Sequence, residues 1–427
     1  MSKNGFPVWR TCLGASSAML CSFTLVKAQT VSPVLQTSPI STKIPAQQPE
    51  FGAHLPVVHE AGHEGKLPAL SLSVGTVTFV GAGAFKPDEL NDIVKNVSHQ
   101  RVTLAQLEQK RLALVKLYRS HGFLLSTVSM SIDRKANVRF TMTEGYIASV
   151  RLSHDIGPAG SKVLALLEHL VNKRPLANAE MERWLLLAQQ VSGLQLRAIL
   201  QNANQEPGAL NLIADVSRQA VSAMVQADNR GYTNTGPEEG MAVVHLNSFT
   251  SLGEQTDFIY YHTNHNTDNF GQISENIFIG SSGLQLQLYG GMGQARPSGT
   301  LRQIEYMSQV VSYGGSLYYP VLLGRRQALT ARLSLDARDV SVDIGRSGFS
   351  QDSIRVVRGE ASYAWQDVWF GASHTAVSTV DVTGSQGLPF MGSSANGRSA
   401  PPGGRDLARF DFRKISLALS RTQSLFM

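Results

Sequence analysis

Two histidines and a glutamate near the N-terminus have the spacing of a zinc-peptidase motif. His59, Glu60 and His63 fit the pattern HExxH, in which two histidines one helical turn apart bind zinc and the glutamate activates a metal-bound water. That chemistry needs a stable helix, but Pro56 precedes the motif and Gly62 interrupts it. No third ligand is evident in the sequence. We therefore predict a chance match without bound metal, and keep a secreted zinc protease only as a remote alternative.

A pair of glycines further along resembles the start of a phosphate-binding loop. Gly81 and Gly83 begin the pattern GxGxxG, but Lys86 occupies the third glycine position. The segment also continues in the order βααββ, whereas dinucleotide sites are built on a βαβ unit. A tight turn explains both glycines. Since no paired-carboxylate site, Ser/His/Asp set or phosphate loop stands out, we predict no cofactor and no enzymatic activity.

The composition of the 427 residues limits the remaining classes of protein. Hydrophobic residues make up 42% and charged residues 16%, which excludes a disordered polyelectrolyte. The net charge is +6, of which Lys3, Arg10 and Lys27 contribute three charges, so +3 remains after residue 28. Such a weak charge argues against nucleic acid as a partner. After the N-terminus no apolar run reaches 18 residues, which excludes a protein with several transmembrane helices.

The N-terminal segment predicts export. Residues 1–28 combine a basic start, a mostly apolar stretch and a small residue, Ala28, at the expected cleavage site of a signal peptide. Both cysteines, Cys12 and Cys21, lie in this segment, so the exported chain has no thiol for a disulfide, a zinc site or a nucleophile. Residues 29–70 are rich in Pro, Ser, Thr, Gln and His, which predicts a periplasmic arm or linker.

Residues 71–144 and 145–217 show the same predicted order of elements, βααββ. The first copy begins with an alternating strand at residues 72–80, and Thr103 with Gln106 forms a capping box that opens a helix. The expected buried stripe of that helix is Leu104, Leu107, Leu112, Leu114 or Val115, and Tyr118. Leu107 aligns with a methionine 74 residues later, Met181. We predict a tandem duplication of a small α+β module, with Gly145 leaving almost no linker.

Strand patterns dominate residues 218–427. Leu333 and Leu335 alternate with the polar Ser334 and Asp336, so one face is apolar and the other polar. This alternation fits a soluble sandwich with a buried face or a transmembrane barrel facing lipid. Long strands and polar loops favour the barrel, as do aromatic residues near strand ends. These are Tyr318, Tyr319, Trp365 and Trp369. We predict about ten antiparallel strands.

Several short motifs, in this order, resemble the outer-membrane transporters of two-partner secretion, the haemolysin-activator ShlB/FhaC/HecB family. They lie at residues 77–81, 117–123 and 143–147, at residues 174–176 and 182–187, and at residues 318–320. A further motif is Asp228, Asn229, Arg230 and Gly231, with Gly236, at the end of the first barrel strand. The resemblance implies two ShlB-type POTRA (polypeptide-transport-associated) modules in the periplasm and a barrel in the outer membrane of a Gram-negative bacterium.

The same resemblance implies a function in protein secretion. The POTRA modules would capture an unfolded exoprotein and the barrel would pass it to the cell surface. Outer-membrane lipid, the barrel-assembly machinery and periplasmic chaperones would be further partners. An exposed POTRA sheet edge can add a cargo strand through backbone hydrogen bonds. The candidate cargo groove is lined by Leu114, Leu117, Val128, Met130 and Ile132, residues that equally suit a plain core.

One departure from the family concerns the length of the barrel. The family's barrel has sixteen strands and a late Arg-Gly-aromatic motif, whereas this sequence supplies about ten strands and Arg358-Gly359 is followed by Glu360. We therefore expect a C-terminally truncated, incomplete barrel, and two outcomes stay open for secretion: a working transporter, or a chain that is inactive through truncation. The alternatives are a complete small barrel, an outer-membrane assembly factor of the POTRA-barrel superfamily and a passive porin.

Overall fold

The computed structural model of the chain describes residues 70–203, 206–368, 375–394 and 409–423. The predicted signal peptide, nearly all of the predicted arm and the histidines of the HExxH motif lie outside these residues. In the described part, no helix combines the length and the apolar character needed to cross a membrane.

The first module consists of short strands and two helices. Its elements are β1 (Ser71–Ser73), β2 (Val77–Val80), α1 (Pro87–Ile93), β3 (Arg101–Thr103), α2 (Leu104–Ser120), β4 (Thr127–Ile132) and β5 (Val138–Thr143). The main sheet has the order β2-β5-β4, in which β2 runs parallel and β4 antiparallel to the central β5. The core lies between this sheet and the helices, and contains Leu90, Leu107, Tyr118 and Phe140, all at most 2% exposed.

The single strand expected over residues 72–80 is wrong, because the chain changes partners in the middle. β1 pairs with β3, and β2 pairs with β5. Between them Val74 is buried and Gly75 passes close to Asn137, whose side-chain Oδ1 accepts a hydrogen bond of 2.9 Å from the Thr76 N–H. The alternation of the sequence correctly predicts extended backbone, but it carries no information on which neighbour each half pairs with.

Helix α2 begins at the predicted capping box. The Thr103 hydroxyl accepts from the Gln106 N–H, and the Gln106 side chain accepts from the Thr103 N–H. Leu107, Leu114, Val115 and Tyr118 are buried as expected. Leu112 is 46% exposed, so its place in the predicted stripe is wrong. Five residues after Leu107, it lies about 140° around the helix from that residue, on the opposite side from the core.

The second module repeats this arrangement. Its elements are β6 (Tyr146–Leu152), α3 (Pro158–Leu167), α4 (Asn178–Gln189), β7 (Leu194–Asn202) and β8 (Ala209–Arg218), with a short 3-10 turn at Glu168–Leu170 after α3. The sheet order is β6-β8-β7, again with a parallel and an antiparallel neighbour on the central strand. The predicted duplication is therefore visible in the fold, and Met181 is buried in this core as Leu107 is in the first.

A single antiparallel sheet follows the two modules. Its strands are β9 (Val221–Asp228), β10 (Glu239–Asn247), β11 (Gln255–Thr263), β12 (Asp268–Ile279), β13 (Leu284–Ala295), β14 (Met307–Leu323), β15 (Gln327–Ile344), β16 (Ser347–Val368), β17 (Thr375–Gly387) and β18 (Arg413–Gln423). Each strand pairs with the next in sequence. Within the described residues the expected number of about ten strands is confirmed, and β9 and β18 form the two outer edges of a sheet that does not close.

The two faces of this sheet differ as the alternation predicts. Leu333 and Leu335 are 55% and 41% exposed on one face. On the other face, Asp336 forms an ion pair with Arg358 and accepts a hydrogen bond of 2.6 Å from the Tyr289 hydroxyl. The polar face also carries an apolar cluster that the alternation did not predict. It consists of Met241, Val243, Ile259, Tyr261, Phe270 and Val310.

The aromatic residues expected at strand ends are only partly placed there. Trp365 lies three residues before the end of β16, whereas β14 continues past Tyr318 and Tyr319 to Leu323, with an irregular register between Pro320 and Leu322. Trp369 lies outside the described residues.

Candidate functional site

Strand β4 forms an edge of the first module with backbone groups that β5 does not use. The Asp133 N–H donates to the Asn137 carbonyl over 3.0 Å, and the antiparallel register continues from this pair along β4. Hydrogen-bonded and non-hydrogen-bonded pairs alternate in such a ladder. The N–H and C=O groups of Val128, Met130 and Ile132 therefore face outward, away from β5. This edge has the geometry needed to accept another strand.

One of these outward groups already has a partner. The Arg111 Nη1 on α2 donates to the Val128 carbonyl over 2.9 Å. The same guanidinium binds both carboxylate oxygens of Glu108, with Nε distances of 3.0 and 2.9 Å and an Nη2 distance of 2.6 Å. Both side chains are largely covered, at 17% and 22% exposed. Arg111 is therefore held against the edge of the sheet by an ion pair on its own helix.

The structure separates the residues of the predicted cargo groove. Leu114 and Val128 are 0% and 3% exposed and belong to the core of the module. Leu117 and Met130 pack against that core and are half-buried, and Ile132 is 38% exposed. Side-chain contact with a partner is thus open mainly to Met130 and Ile132. A role of these five residues in binding cargo stays a prediction. The structure shows that β4 is an edge strand, which is the geometry that pairing through backbone hydrogen bonds requires.

The second module carries a similar edge on β7. The Gln219 N–H donates to the Gly193 carbonyl over 2.8 Å, which sets the alternation along this antiparallel pair. Leu194, Leu196, Ala198 and Leu200 then direct their backbone groups outward. Here the side-chain amide of Gln189, at the end of α4, donates to the Leu196 carbonyl over 3.3 Å. Each module therefore has one edge carbonyl covered by a side chain of its second helix.

The carboxylate at the end of the first module is bonded to a loop and a helix of the same module. The buried Glu144 Oε1 accepts from the N–H groups of Gly83 and Ala84, each over 2.8 Å, and from the Tyr118 hydroxyl over 3.0 Å. Burial raises the pKa of Tyr118, and the nearby Glu144 carboxylate raises it further. The Gly81–Gly83 turn is thus fixed by a carboxylate of the protein itself, which agrees with the prediction that it holds no phosphate.

The next residue explains why no linker separates the modules. A Cβ on Gly145 would lie 2.3 Å from the Leu125 carbonyl oxygen, so a larger residue cannot fit there without movement of the backbone. The Asn178 N–H of the second module donates to the Gly122 carbonyl of the first over 2.8 Å. Leu125 itself is part of the second module's core. The two modules therefore share packing and hydrogen bonds across Gly145.

The second module contacts the sheet at or near three of its turns. The nearly buried Lys162 donates to the Gly280 carbonyl over 3.1 Å, in the turn between β12 and β13. The Ser192 carbonyl accepts from Ser248, in the turn between β10 and β11, over 2.7 Å. Arg183 donates to the Val321 carbonyl over 3.1 Å, near the turn between β14 and β15. Phe278 of β12 is buried in the module's core.

The predicted barrel-entry motif, residues 228–231, forms hydrogen bonds within the loop that follows β9. β9 ends at Asp228, whose Oδ1 accepts from the Arg230 N–H over 3.0 Å, and the Gly231 N–H donates to the Pro237 carbonyl over 3.0 Å. Asn229 lies with Asp228 beside an open concavity at this end of the strands. Nothing in this geometry assigns the motif a role in binding. No cluster of potential metal ligands occurs in the part of the chain that the structure describes.

Comparison with known proteins agrees with this architecture. Residues 72–145 match the family described as POTRA domain, ShlB-type. The chain is 19% identical over 258 residues to the heme/hemopexin transporter protein HuxB of Haemophilus influenzae (strain 86-028NP), covering 60% of this chain and 46% of HuxB. It thus spans about half the length of this curated relative.

Two solved structures share the fold. CdiB from Escherichia coli superposes with a TM-score of 0.63 at 15% identity, covering 86% of this chain and 67% of CdiB. CdiB from Acinetobacter baumannii gives a TM-score of 0.51 at 11% identity, covering 80% of this chain and 68% of that one. The predicted resemblance to the ShlB/FhaC family, with POTRA modules followed by an antiparallel barrel-type sheet, is confirmed. HuxB is named as a transporter, in agreement with the prediction that the chain is not an enzyme.

Proposed function

We propose that this chain is the outer-membrane transporter of a two-partner secretion system, which captures an unfolded exported polypeptide in the periplasm and delivers it to the cell surface. The similarity to HuxB and CdiB supports a general role in secretion. The observation that carries the capture step is the β4 edge, where the backbone of Val128, Met130 and Ile132 faces outward. Backbone pairing suits a cargo that arrives unfolded, because it tolerates many side chains.

The contacts that join the β4 edge, through the second module, to the large sheet support delivery of the bound polypeptide. The first module is joined to the second without a linker, and the second is fixed to three turns of the sheet. A strand bound at β4 is therefore held at a defined place relative to the strands that would line the passage. Threading an extended chain breaks no covalent bond, so this function needs no catalytic group.

The capture step is tested with a fluorescent peptide of alternating threonine and valine, an uncharged β-strand probe, and the purified full chain in detergent. We expect binding to the wild type and loss of binding in Met130→Pro. Proline removes the outward N–H of Met130 but none of the hydrogen bonds to β5, so the fold should persist. Met130→Leu, which keeps the N–H and a similar volume, is the matched control. Equal binding by all three proteins would disprove capture at this edge.

Delivery is tested in cells that express the chain together with a large exported protein from the same genome. We expect that protein in the medium only when the chain is present, and less of it with Met130→Pro than with Met130→Leu. A chain that reaches the outer membrane and conducts small solutes, but never changes the amount of any exported polypeptide in the medium, would instead support a passive porin.

A further inference from the structure

Arg111 occupies the acceptor that a strand added to β4 would use. An incoming strand binds through N–H groups that donate to outward carbonyls of the edge. The Val128 carbonyl is one of these, and it already accepts from Arg111 over 2.9 Å. An added strand and the guanidinium therefore compete for the same oxygen.

The position of Arg111 is fixed by the helix that bears it. Glu108 lies one turn earlier on α2 and binds the guanidinium through both carboxylate oxygens. This leaves Nη1 directed at Val128. The ion pair is only about a fifth exposed, so water competes weakly for either partner. The arrangement holds the side chain in one place, in contrast to a surface arginine that samples many positions.

In the second module, too, a side chain of the second helix donates a hydrogen bond to an outward carbonyl of the edge strand. Gln189, on the corresponding helix, donates to the Leu196 carbonyl on the corresponding edge strand. The donor there is neutral and the bond is longer, at 3.3 Å. Covering one edge carbonyl is thus a feature of both copies, and only the first copy does it with a charge held by an ion pair.

We propose that Arg111 is a gate on the strand-binding edge of the first module. In the closed state it covers the Val128 carbonyl, and cargo binds only after the guanidinium moves aside. Glu108 is the positioning residue that stabilises the closed state. This inference rests on the proposed capture of cargo at β4, and it adds that the edge is protected from indiscriminate pairing while no cargo is bound.

The test measures the affinity of the uncharged threonine-valine peptide for the full chain in detergent. Arg111→Met keeps the apolar stem of the side chain and removes its donors, so we expect binding to tighten by about three- to tenfold, the worth of one hydrogen bond. Glu108→Gln should tighten binding by a smaller factor, because Arg111 remains but is held less firmly. Lys116→Met, which removes an exposed positive charge from the same helix, is the matched control and should leave the affinity unchanged.

Ionic strength separates a gate from a purely structural role. Salt screens the partly covered Arg111–Glu108 pair less than a fully exposed pair, so raising sodium chloride from about 0.05 M to 0.5 M should tighten peptide binding to the wild type only slightly and leave Arg111→Met unaffected. If binding is abolished by Met130→Pro but identical in wild type and Arg111→Met at both salt concentrations, the gate is wrong while capture stands. If Met130→Pro has no effect on binding, capture itself fails.

Discussion

The two modules have the same fold but make different connections. At the end of its last strand the first module places Glu144, which turns back and binds its own Gly83–Ala84 loop. The residue 74 positions later in the second module is Arg218, which donates to the Asn247 carbonyl at the end of β10 over 3.2 Å. The contacts with the sheet described above all come from the second module. In the first copy the residue at this position is bonded within its own module, and in the second copy the corresponding residue is bonded to the sheet.

This difference assigns separate tasks to the copies. The first module carries the β4 edge that Arg111 covers, and its carboxylate Glu144 is bonded within the module. The second depends on neighbours outside it, among them Lys162 against Gly280 and Phe278 in its core. Substitutions in the first module should therefore act locally, and substitutions in the second should act on its attachment.

The largest effect is expected from Glu144→Ala. The substitution leaves two partly buried N–H groups and the buried Tyr118 hydroxyl without their acceptor, which should cost about 2–4 kcal/mol of unfolding free energy in the first module. Hydrogen exchange should show faster exchange throughout β2, α2 and β5, with little change in the second module. Glu144→Gln keeps an acceptor oxygen in the same place and serves as the control. Equal loss of protection in both modules would contradict the view that the contacts of Glu144 stabilise only the first module.

A smaller effect is expected from Lys162→Met. Methionine preserves most of the buried stem but loses the hydrogen bond to the Gly280 carbonyl, so attachment to the sheet should weaken by about 1–2 kcal/mol. Spin labels at Ser161→Cys and Ser282→Cys report the separation, and replacing Cys12 and Cys21 with serine makes these two positions the only thiols of the chain. We expect a broader distance distribution in Lys162→Met than in the parent pair. An unchanged distribution would show that other contacts suffice to hold the module.

The smallest effect is a difference in the response to alkaline pH. Burial and the Glu144 carboxylate raise the pKa of Tyr118 above its ordinary value of 10.0, so the stability it confers is present below pH 10.0 and is lost as the pH rises further. Burial lowers the pKa of Lys162 below its ordinary value of 10.5, so attachment of the second module strengthens as the pH rises through that lowered pKa toward 10.5.

Titration of the full chain from about pH 8 to pH 11 should therefore loosen the first module and tighten the attachment of the second. Hydrogen exchange in β5 and the label distances at the sheet measure the two responses separately. Tyr118→Phe should remove the first response and Lys162→Met the second. A parallel change in both readouts, unaffected by these substitutions, would mean that general alkaline unfolding dominates.

Much of the fold could be predicted because it rests on local signals. The capping box at Thr103 and Gln106 fixed the start of α2, and strict alternation around Leu333 indicated a sheet with two unlike faces. Leu112 was placed wrongly because several leucines on α2 offered competing stripes, and only the position of the sheet decides among them.

The candidate site was less predictable, because it consists of backbone groups and long-range contacts. Which carbonyls of β4 face outward depends on the register with β5, and the sequence does not state that register. The spacing of Glu108 and Arg111 on a predicted helix is a signal that could have indicated an ion pair. The contact with Val128, seventeen residues away, had no counterpart in the sequence pattern. The role of Glu144 likewise depends on a loop sixty residues earlier.

The junction at Gly145 also has a mechanical consequence. A flexible linker would absorb any force applied to the first module, but here the modules share packing across a residue with no room for a side chain. In the proposed function, tension on a polypeptide bound at β4 would therefore be transmitted through the second module to its contacts with the turns at Gly280 and Ser248. A force that acts on the proposed binding edge would in this way reach the ends of the sheet strands, because no flexible linker separates the modules.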